Sequence, residues 1–321
     1  MKRETIDLIH RSYQNAVECS TDIMGIITAL HEDLSSKEIP EEDTLQFDSF
    51  LDGLVSCINT RYKTFDMTNL ATDVIFILMY IIIWLNNSQD MGIDINLSAR
   101  RKSLESDLQK LLHKAVSNLS TLISDRFGLR GIILNVDSSK ESTEMLITVS
   151  NYFIGILANK NRKARSSFLE WIEENRNIDD FTKTRIKNIL DLPFKVDSSK
   201  DYVTVPKPNG YQSLHYILVL DVDSPRLPGA KLELQMRNNS MHKVATKGSA
   251  GHTGYKEDNM PEEIKNVFTL DSFEKVNMVG FTGYDSIDDD MDGIHLSKLF
   301  YNRRISSTLV RWLVTPTLSL P

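Results

Sequence analysis

The chain carries the run Pro206-Lys-Pro-Asn-Gly-Tyr-Gln-Ser-Leu-His215 directly before the apolar stretch Tyr216–Leu220. This short run brings together a cation, an amide, a glycine turn, an aromatic ring and an imidazole. Downstream, Leu232-Glu-Leu-Gln-Met-Arg237 alternates apolar and polar residues at the two-residue period of a β-strand, so its carboxylate, amide and guanidinium share one face. Packing alone explains such a face poorly. The pattern indicates one wall of a site for a phosphorylated ligand.

The composition is that of an ordinary globular protein. Of the 321 residues, 41% are hydrophobic and 25% are charged, and the length suggests about two domains. The formal net charge of −7 argues against a generic nucleic-acid binder, so a polyanion would need a local cluster of Lys and Arg. Cys19 and Cys57 fit no metal-ligand spacing, and two thiols in so long a chain indicate a reducing compartment. No apolar run follows the first residues as in a signal peptide, so a cytoplasmic location is expected.

One segment, Val74–Leu85, consists of twelve consecutive apolar residues. A bilayer span needs about 20 apolar residues, and Asp73 and Asn86 end this run on either side. We therefore expect a fully buried helix or strand within the accessory region, without stable insertion into a membrane. A membrane-associated hairpin is the alternative.

The pattern divides the chain into a helical accessory region (1–95), a region of helices and strands (96–260) and a C-terminal extension (261–321). Helices are predicted over 4–30, 45–62, 103–122, 241–250 and 261–276, with one charged helical segment over 168–189. Strands are predicted over 128–135, 202–205, 216–222 and 232–236, and 144–157 fits either a helix or a strand. The expected fold class is α+β, with a mixed β-sheet flanked by helices and preceded by a helical region.

Four elements follow one another in the central region. They are the basic cluster Arg100-Arg101-Lys102-Ser103, predicted to open a helix; Asp125 with Arg130; the loop Lys207–His215; and Glu233 on a strand. None of them is specific alone. Together, over about residues 98–256, they closely resemble the synthetase domain of the RelA/SpoT family, the alarmone synthetases. The most specific stretches are Lys200–His215 and Glu233–Arg237, continuing to Tyr255-Lys256.

The resemblance implies a nucleotidyltransferase-like synthetase core in residues 96–260, of the small alarmone synthetase type. Such an enzyme is a pyrophosphokinase: it moves the β,γ-pyrophosphate of ATP to the 3′-hydroxyl of GDP or GTP, makes (p)ppGpp and releases AMP. The residue types suit that chemistry. Phosphoryl transfer depends on positioning and charge stabilisation by metal, Lys and Arg, and the acceptor hydroxyl needs a carboxylate to take its proton.

The resemblance also implies a role for each matching residue. The ATP-binding positions correspond to Arg100, Lys102, Ser103, Lys110 and Arg130, and the acceptor pocket to Lys207, Asn209, Tyr211 and His215. Asp125 corresponds to the ligand of a Mg²⁺ ion, and Glu233 to a carboxylate that assists the metal and acts as base. The Tyr211 ring would stack under the acceptor base.

Structural interpretations of the same residues stay open. Arg100–Lys102 fits a solvated helix start, and Asp125 fits a helix N-cap. Tyr211 and His215 fit packing at a sheet edge, and Gln235 with Arg237 fits a surface strand face.

Alternatives for the function also stay open. Long members of the family carry a manganese-dependent hydrolase domain with a His-Asp dipeptide; that dipeptide is absent from this sequence, so no hydrolase activity is expected. Toxic small alarmone synthetases instead act on adenosine nucleotides or on the 3′ end of tRNA, and the basic stretch Lys160–Arg165 suits a tRNA backbone as well as a solvated helix end. A catalytically silent nucleotide-binding regulator is the third alternative. An antitoxin partner and a homo-oligomer are left open.

Overall fold

A computed structural model of the chain describes residues 1–20, 23–61, 64–101, 104–119, 127–135, 140–224, 227, 229–247, 264, 267–268 and 294–295. These residues fall into two compact units. One unit draws them from Met1–Thr68, Arg101–Arg126 and His252–Glu274, and the other from Asn69–Arg100, Phe127–Gly251 and Lys275–Pro321.

The first unit is helical. Its helices are α1 (Arg3–Cys19), α2 (Ile23–Ser35), α3 (Thr44–Arg61) and α5 (Leu104–Val116), with a 3₁₀ turn at Glu41–Asp43. Each helix buries one apolar stripe at three- and four-residue spacing, as Ile9, Leu30, Phe50 and Leu108 illustrate. The stripes meet in one core, where the Tyr13 ring packs edge-on against Phe268 with 5.0 Å between the ring centroids.

The second unit is built on a β-sheet. Its strands are β1 (Ile95–Arg101), β2 (Phe127–Ile133), β3 (Phe194–Asp201), β4 (Leu214–Leu220), β5 (Lys231–Asn238) and β6 (Ile294–His295). They lie in the order β3-β4-β5-β2-β1-β6. The pair β2/β5 is parallel, whereas β3/β4, β4/β5 and β1/β6 are antiparallel. The sheet is therefore mixed.

Helices accompany the sheet. They are α4 (Thr64–Gln89), α6 (Lys140–Leu157), α7 (Arg162–Glu174), α8 (Asp180–Leu190) and α9 (Asn239–Lys247). Helix α6 contacts β5, and α9 contacts both β5 and β2. The predicted α+β class, with a mixed sheet flanked by helices after a helical region, is confirmed.

Helix α4 contains the apolar run Val74–Leu85. The segment Asn69–Gln89 is long and apolar enough to cross a membrane: its most apolar 18-residue window has a mean hydropathy of 1.7, and 78% of that window is buried inside the protein. A core helix has the same composition, because a helix that is buried on all sides needs no polar face. Of the two elements predicted for this run, a fully buried helix or strand, the structure has the helix. From Asn69 onward this helix belongs to the sheet unit and not to the helical unit.

Several predicted elements differ from the structure. The helix predicted over 4–30 is divided, since α1 ends at Cys19, Ser20 is extended, and α2 runs from Ile23 to Ser35. The segment 202–205 is a turn, because the Asp201 carboxylate accepts hydrogen bonds from the backbone N–H groups of Val203 and Thr204, which a strand would use in its ladder. Arg100 and Arg101 do not open a helix, because they continue the extended backbone of strand β1 to its end.

The segment 168–189 also differs from the prediction, because it forms two helices. Helix α7 ends at Glu174, and the Asp179 side chain caps the start of α8 by accepting from the Thr182 N–H at 2.8 Å. The ambiguous segment 144–157 lies in helix α6. The helix predicted over 261–276 falls almost wholly outside the described residues. The predicted domains, 1–95, 96–260 and 261–321, stay a prediction; along the chain, the first change from the helical unit to the sheet unit falls between Thr68 and Asn69.

Candidate functional site

Strands β4 and β5 bring the polar side chains predicted from the sequence to one place. Their antiparallel register pairs His215 with Gln235 and Ile217 with Glu233, so these residues point to one face of the sheet. Strand β5 is buried along almost its whole length, and Glu233, Gln235 and Arg237 are only 9%, 5% and 5% exposed. Buried polar groups require hydrogen-bond partners, and on this face they find them in one another.

The loop before β4 positions Tyr211. The Lys207 N–H donates to the Tyr211 carbonyl at 3.1 Å, and the Gly210 N–H donates to the Lys207 carbonyl at 2.8 Å. The Asn209 side-chain oxygen accepts from the Tyr211 N–H at 3.2 Å. Gly210 has a φ of +79°, which favours glycine because it has no Cβ. The closed turn therefore holds the Tyr211 side chain beside β4.

Five side chains form a closed hydrogen-bond ring: Tyr211, His215, Glu233, Gln235 and Arg237. The Tyr211 hydroxyl contacts His215 Nε2 at 2.9 Å, and His215 Nδ1 contacts Glu233 Oε1 at 2.9 Å. Gln235 Nε2 donates to Glu233 Oε2 at 2.8 Å, and Arg237 Nη2 donates to Gln235 Oε1 at 3.0 Å. A further bond from Arg237 Nη2 to the Tyr211 hydroxyl closes the ring.

The proton positions in the ring follow from donor and acceptor chemistry. The ionised Glu233 carboxylate only accepts, so His215 Nδ1 carries a proton and donates to it. In the neutral imidazole Nε2 is then the acceptor, and the Tyr211 hydroxyl donates to it. The Tyr211 oxygen in turn accepts from Arg237. With neutral His215 every bond of the ring has one donor and one acceptor, so the carboxylate, the imidazole and the phenol are held in fixed orientations.

Cations and aromatic side chains surround the end of the hydrogen-bond ring at which the Tyr211 hydroxyl lies, the phenol end. The Lys207 ammonium lies 4.8 Å from the centroid of the Tyr202 ring and 5.3 Å from that of the Tyr211 ring. The Arg237 guanidinium carbon lies 4.8 Å from the Tyr211 centroid. Such distances are those of cation–π contacts. This end therefore combines positive charge, suited to phosphate, with aromatic faces, suited to a nucleobase.

Arg130 stands in the same row of the sheet. It is paired with Gln235 across the parallel strands β2 and β5, and Gln235 is paired with His215 on the other side. Residues in register across neighbouring strands share a face. The half-buried Arg130 therefore lies on the face that carries the hydrogen-bond ring.

The structure brings together Arg130, Lys207, Asn209, Tyr211, His215 and Glu233 from the predicted site residues. Lys110 lies on α5, in the helical unit. Asp125, Lys102, Ser103 and the side chain of Arg100 lie outside the described residues. The roles predicted for all of these residues stay predictions.

The predicted Mg²⁺ ion depends on Asp125 and Glu233. Glu233 Oε1 and Oε2 accept hydrogen bonds from His215 and Gln235, and carboxylate oxygens are also ligands of the kind that a Mg²⁺ ion takes. Within the described ranges no group of three His, Cys, Asp or Glu side chains converges. The magnesium site stays a prediction, because its second carboxylate lies outside the described residues.

Three residues of this site were not among the predicted site residues: Tyr202, Gln235 and Arg237. The alternation in β5 had placed Gln235 and Arg237 beside Glu233, so the two-residue period was the sequence feature that marked them. Tyr202 had been assigned to a strand. Its place next to Lys207 depends on the turn that the Asp201 side chain makes.

The Asp201 turn is itself electrostatically stabilised. Burial would raise the pKa of Asp201, but hydrogen bonds from Thr204 and Val203 outweigh that effect and hold the pKa below its usual value. The carboxylate is therefore ionised at neutral pH and keeps accepting from both backbone N–H groups.

The chain is similar to known proteins over the stretch that contains strands β3, β4 and β5. Residues 171–260 match the family described as "Region found in RelA / SpoT proteins". The chloroplastic GTP diphosphokinase CRSH1 of Oryza sativa subsp. japonica is 48% identical over 58 residues, which are 18% of this chain and 10% of that protein. The guanosine-3′,5′-bis(diphosphate) 3′-pyrophosphohydrolase of Aquifex aeolicus is 44% identical over 64 residues, 20% of this chain and 8% of that protein. The matches thus span about a tenth or less of these relatives' own length.

Among solved structures, the small alarmone synthetase 1 from Bacillus subtilis, bound to its product pppGpp, is 18% identical with a TM-score of 0.31. The similarity covers 52% of this chain and 66% of that one. The strands β3, β4 and β5 and the whole hydrogen-bond ring lie inside the residues that match the family. Over residues 171–260, the chain therefore carries the region found in RelA and SpoT proteins, as the resemblance predicted.

Proposed function

We propose that this protein is a Mg²⁺-dependent ATP:nucleotide 3′-pyrophosphokinase that makes (p)ppGpp from GDP or GTP. The observation that carries the proposal is the hydrogen-bond ring, which fixes a carboxylate, an imidazole and a phenol within a RelA/SpoT region. Relatives that share the region are named GTP pyrophosphokinase, as in Myxococcus xanthus, which supports a transferase.

In the proposed reaction the acceptor 3′-hydroxyl oxygen forms a bond to the β-phosphorus of ATP. The bond between that phosphorus and the oxygen bridging to the α-phosphate breaks, so AMP leaves with the bridging oxygen and pyrophosphate stays on the acceptor. Glu233 takes the hydroxyl proton, a task for which a positioned carboxylate is suited. The bonds from His215 and Gln235 hold its oxygens in place.

The acceptor would bind at the phenol end of the ring. Tyr211 offers a stacking face for the base, a contact worth about 1–3 kcal/mol per base in single-strand binders. Lys207 and Arg237 supply positive charge beside that face for the acceptor phosphates. Asn209 acts indirectly, because its side chain fixes the Tyr211 backbone.

ATP would bind through the remaining predicted residues: Arg100, Lys102, Ser103, Lys110 and Arg130. A magnesium ion held by Asp125 and Glu233 would neutralise charge on the transferred phosphates. Arg130 already shares the face of Glu233, so its guanidinium is suited to meet a phosphate there.

A second candidate acceptor is the 3′ end of tRNA. In the basic stretch Lys160–Arg165, three basic side chains are exposed: Lys160, Arg162 and Lys163. Arg165 is engaged elsewhere, donating to the carbonyls of Leu190 and Ile156, and burial lowers its pKa. The helix dipole disfavours cations at the start of a helix. Three exposed cations there therefore do not serve helix stability, which favours a role in binding a polyanion.

The decisive experiment is to incubate the protein with ATP labelled in its β- and γ-phosphates and, separately, with GDP, GTP, ATP or bulk tRNA. We expect label in GDP and GTP together with an equal amount of AMP. Label in tRNA alone would replace the proposed acceptor with tRNA. Nucleotide binding without transfer to any acceptor would favour the silent regulator.

The predicted absence of hydrolase activity needs its own test, because several relatives carry the name pyrophosphohydrolase. Labelled ppGpp with Mn²⁺ should stay intact in the presence of the protein. Release of pyrophosphate would contradict the prediction.

A further inference from the structure

The Tyr202 ring contacts three groups of the candidate acceptor pocket. Its centroid lies 6.0 Å from the Tyr211 ring at an interplanar angle of 72°, and 5.3 Å from the His215 ring at 89°. The Lys207 ammonium lies 4.8 Å from the same centroid. One side chain thus touches a proposed stacking residue, the imidazole of the hydrogen-bond ring and the proposed phosphate-binding cation.

The backbone fixes this position of Tyr202. The Tyr202 N–H donates to the carbonyl of Ser213 at 3.0 Å, and Ser213 is fully buried. On the preceding residue, the Asp201 carboxylate holds the turn that follows. The ring is therefore anchored from both sides of the loop that carries Lys207 and Tyr211.

We propose that Tyr202 is a positioning residue of the acceptor pocket, whose ring holds the Lys207 ammonium and the His215 imidazole where a nucleoside diphosphate or triphosphate meets them. This inference rests on the proposed function. Lys is long and flexible, and ordering its side chain for a phosphate costs conformational entropy. A cation–π contact that already confines the ammonium lowers that cost, since less freedom remains to be lost on binding.

The ring of Tyr202 carries this role, and its hydroxyl does not. Among the described residues, the Tyr202 hydroxyl makes no hydrogen bond, whereas the ring makes all three contacts. An aromatic replacement without the hydroxyl should therefore function, and an apolar replacement of similar bulk without an aromatic face should not.

The test compares Tyr202→Leu with Tyr202→Phe in steady-state transfer from ATP. We expect Tyr202→Leu to raise the KM for GDP about tenfold, the scale of one cation–π contact plus one aromatic pair, with kcat within about threefold. The KM for ATP should not change, and Tyr202→Phe should restore the KM for GDP. Phe181→Leu, the same kind of change at an exposed aromatic on α8, is the matched control.

A double-mutant cycle tests the mechanism. Lys207→Met should weaken GDP binding by itself, and adding Tyr202→Leu to it should cost much less than in the natural chain, because the contact is already lost. Fully additive effects would overturn the proposal. So would an unchanged KM for GDP in Tyr202→Leu, or a Tyr202→Phe variant as weak as Tyr202→Leu.

Direct binding separates this inference from the proposed function. Calorimetric titration with GDP in the absence of ATP measures the acceptor Kd of each folded variant. Circular dichroism checks that each variant is folded, and Tyr202→Met replaces Tyr202→Leu if the latter unfolds. If the natural chain binds GDP but transfers nothing, the proposed function fails, and the Kd ratio still decides on Tyr202. If the natural chain does not bind GDP at all, both are wrong.

Discussion

Replacing Glu233 by Gln removes the carboxylate charge while keeping the shape of the side chain. In the natural chain Glu233 Oε1 accepts from His215 and Oε2 accepts from Gln235. The new amide can keep its oxygen toward Gln235 and turn its NH₂ group toward His215 Nδ1. The imidazole proton would then move to Nε2 and donate to the Tyr211 oxygen, so the imidazole reverses its direction in the ring without losing a bond.

Glu233→Gln should have a small effect on stability and a large effect on the rate of transfer. Because every bond of the ring can form again, the free energy of unfolding should fall by no more than one net hydrogen bond, about 0.5–1.5 kcal/mol. The loss of a general base lowers the rate about 10²- to 10⁴-fold. At about 1.4 kcal/mol per tenfold, that is roughly 3–5 kcal/mol in the activation barrier. Transfer and stability are therefore expected to separate clearly.

Single-turnover transfer from labelled ATP to GDP measures the rate, urea unfolding measures stability, and calorimetry measures GDP binding. Glu233→Ala is the comparison: it leaves His215 and Gln235 as buried donors without their acceptor, so it should destabilise by about 2–4 kcal/mol. A Glu233→Gln variant that retains transfer within tenfold would refute the role as base. A Glu233→Gln variant that unfolds as easily as Glu233→Ala would refute the expectation that the hydrogen-bond ring forms again with the imidazole reversed.

Three further predictions concern stability. Arg237→Met removes two hydrogen bonds of the ring and should lower the free energy of unfolding by about 3 kcal/mol in urea; a loss below about 1 kcal/mol would show that the ring is weakly coupled. Gly155→Ala would place a Cβ 2.8 Å from Asn161 Cβ at the turn between α6 and α7, which should lower the free energy of unfolding by about 1–3 kcal/mol. Differential scanning fluorimetry should therefore show a lower Tm, and an unchanged Tm would contradict this prediction. Burial, aided by the nearby Asp179 charge, raises the pKa of Tyr80 to about 12. The folded-state pKa thus exceeds the unfolded value of 10.0, so the stability that the neutral phenol contributes is complete below pH 10 and is lost as the pH rises toward 12, by about 3 kcal/mol at most. Tyr80→Phe should abolish that slope in urea titrations between pH 10 and 12, and an unaltered slope would assign it to other groups.

The sequence predicted β5 and its polar face correctly because a two-residue period is a local property. Alternation in Leu232–Arg237 needs only the pleat of a strand to place three polar side chains together. Helix α3 was predictable for the same kind of reason, since its periodicity is visible in one stretch of chain. The unbroken apolar run in α4 predicted burial but left a helix and a strand equally open.

Other elements could not be predicted from local pattern. Strand β3 is polar and mostly exposed at the edge of the sheet, so no apolar alternation marks it, and its pairing with β4 defines it. The turn at Tyr202 required the knowledge that the Asp201 side chain would take the backbone N–H groups of the next residues. Arg100 and Arg101 likewise end strand β1, which can be recognised only from its place between neighbouring strands of the sheet.

By itself, the order of residues determined which chemical groups the site contains, since the motif from Lys200 to His215 and the alternation around Glu233 are written in contiguous stretches of chain. The tertiary structure alone decided that these groups close into a ring. Tyr211 and Arg237 are separated by 26 positions, and only the register of β4 against β5 brings a phenol and a guanidinium within hydrogen-bond reach. The physical reason is that periodicity is encoded between near neighbours, whereas register and side-chain hydrogen bonds depend on how distant segments pack.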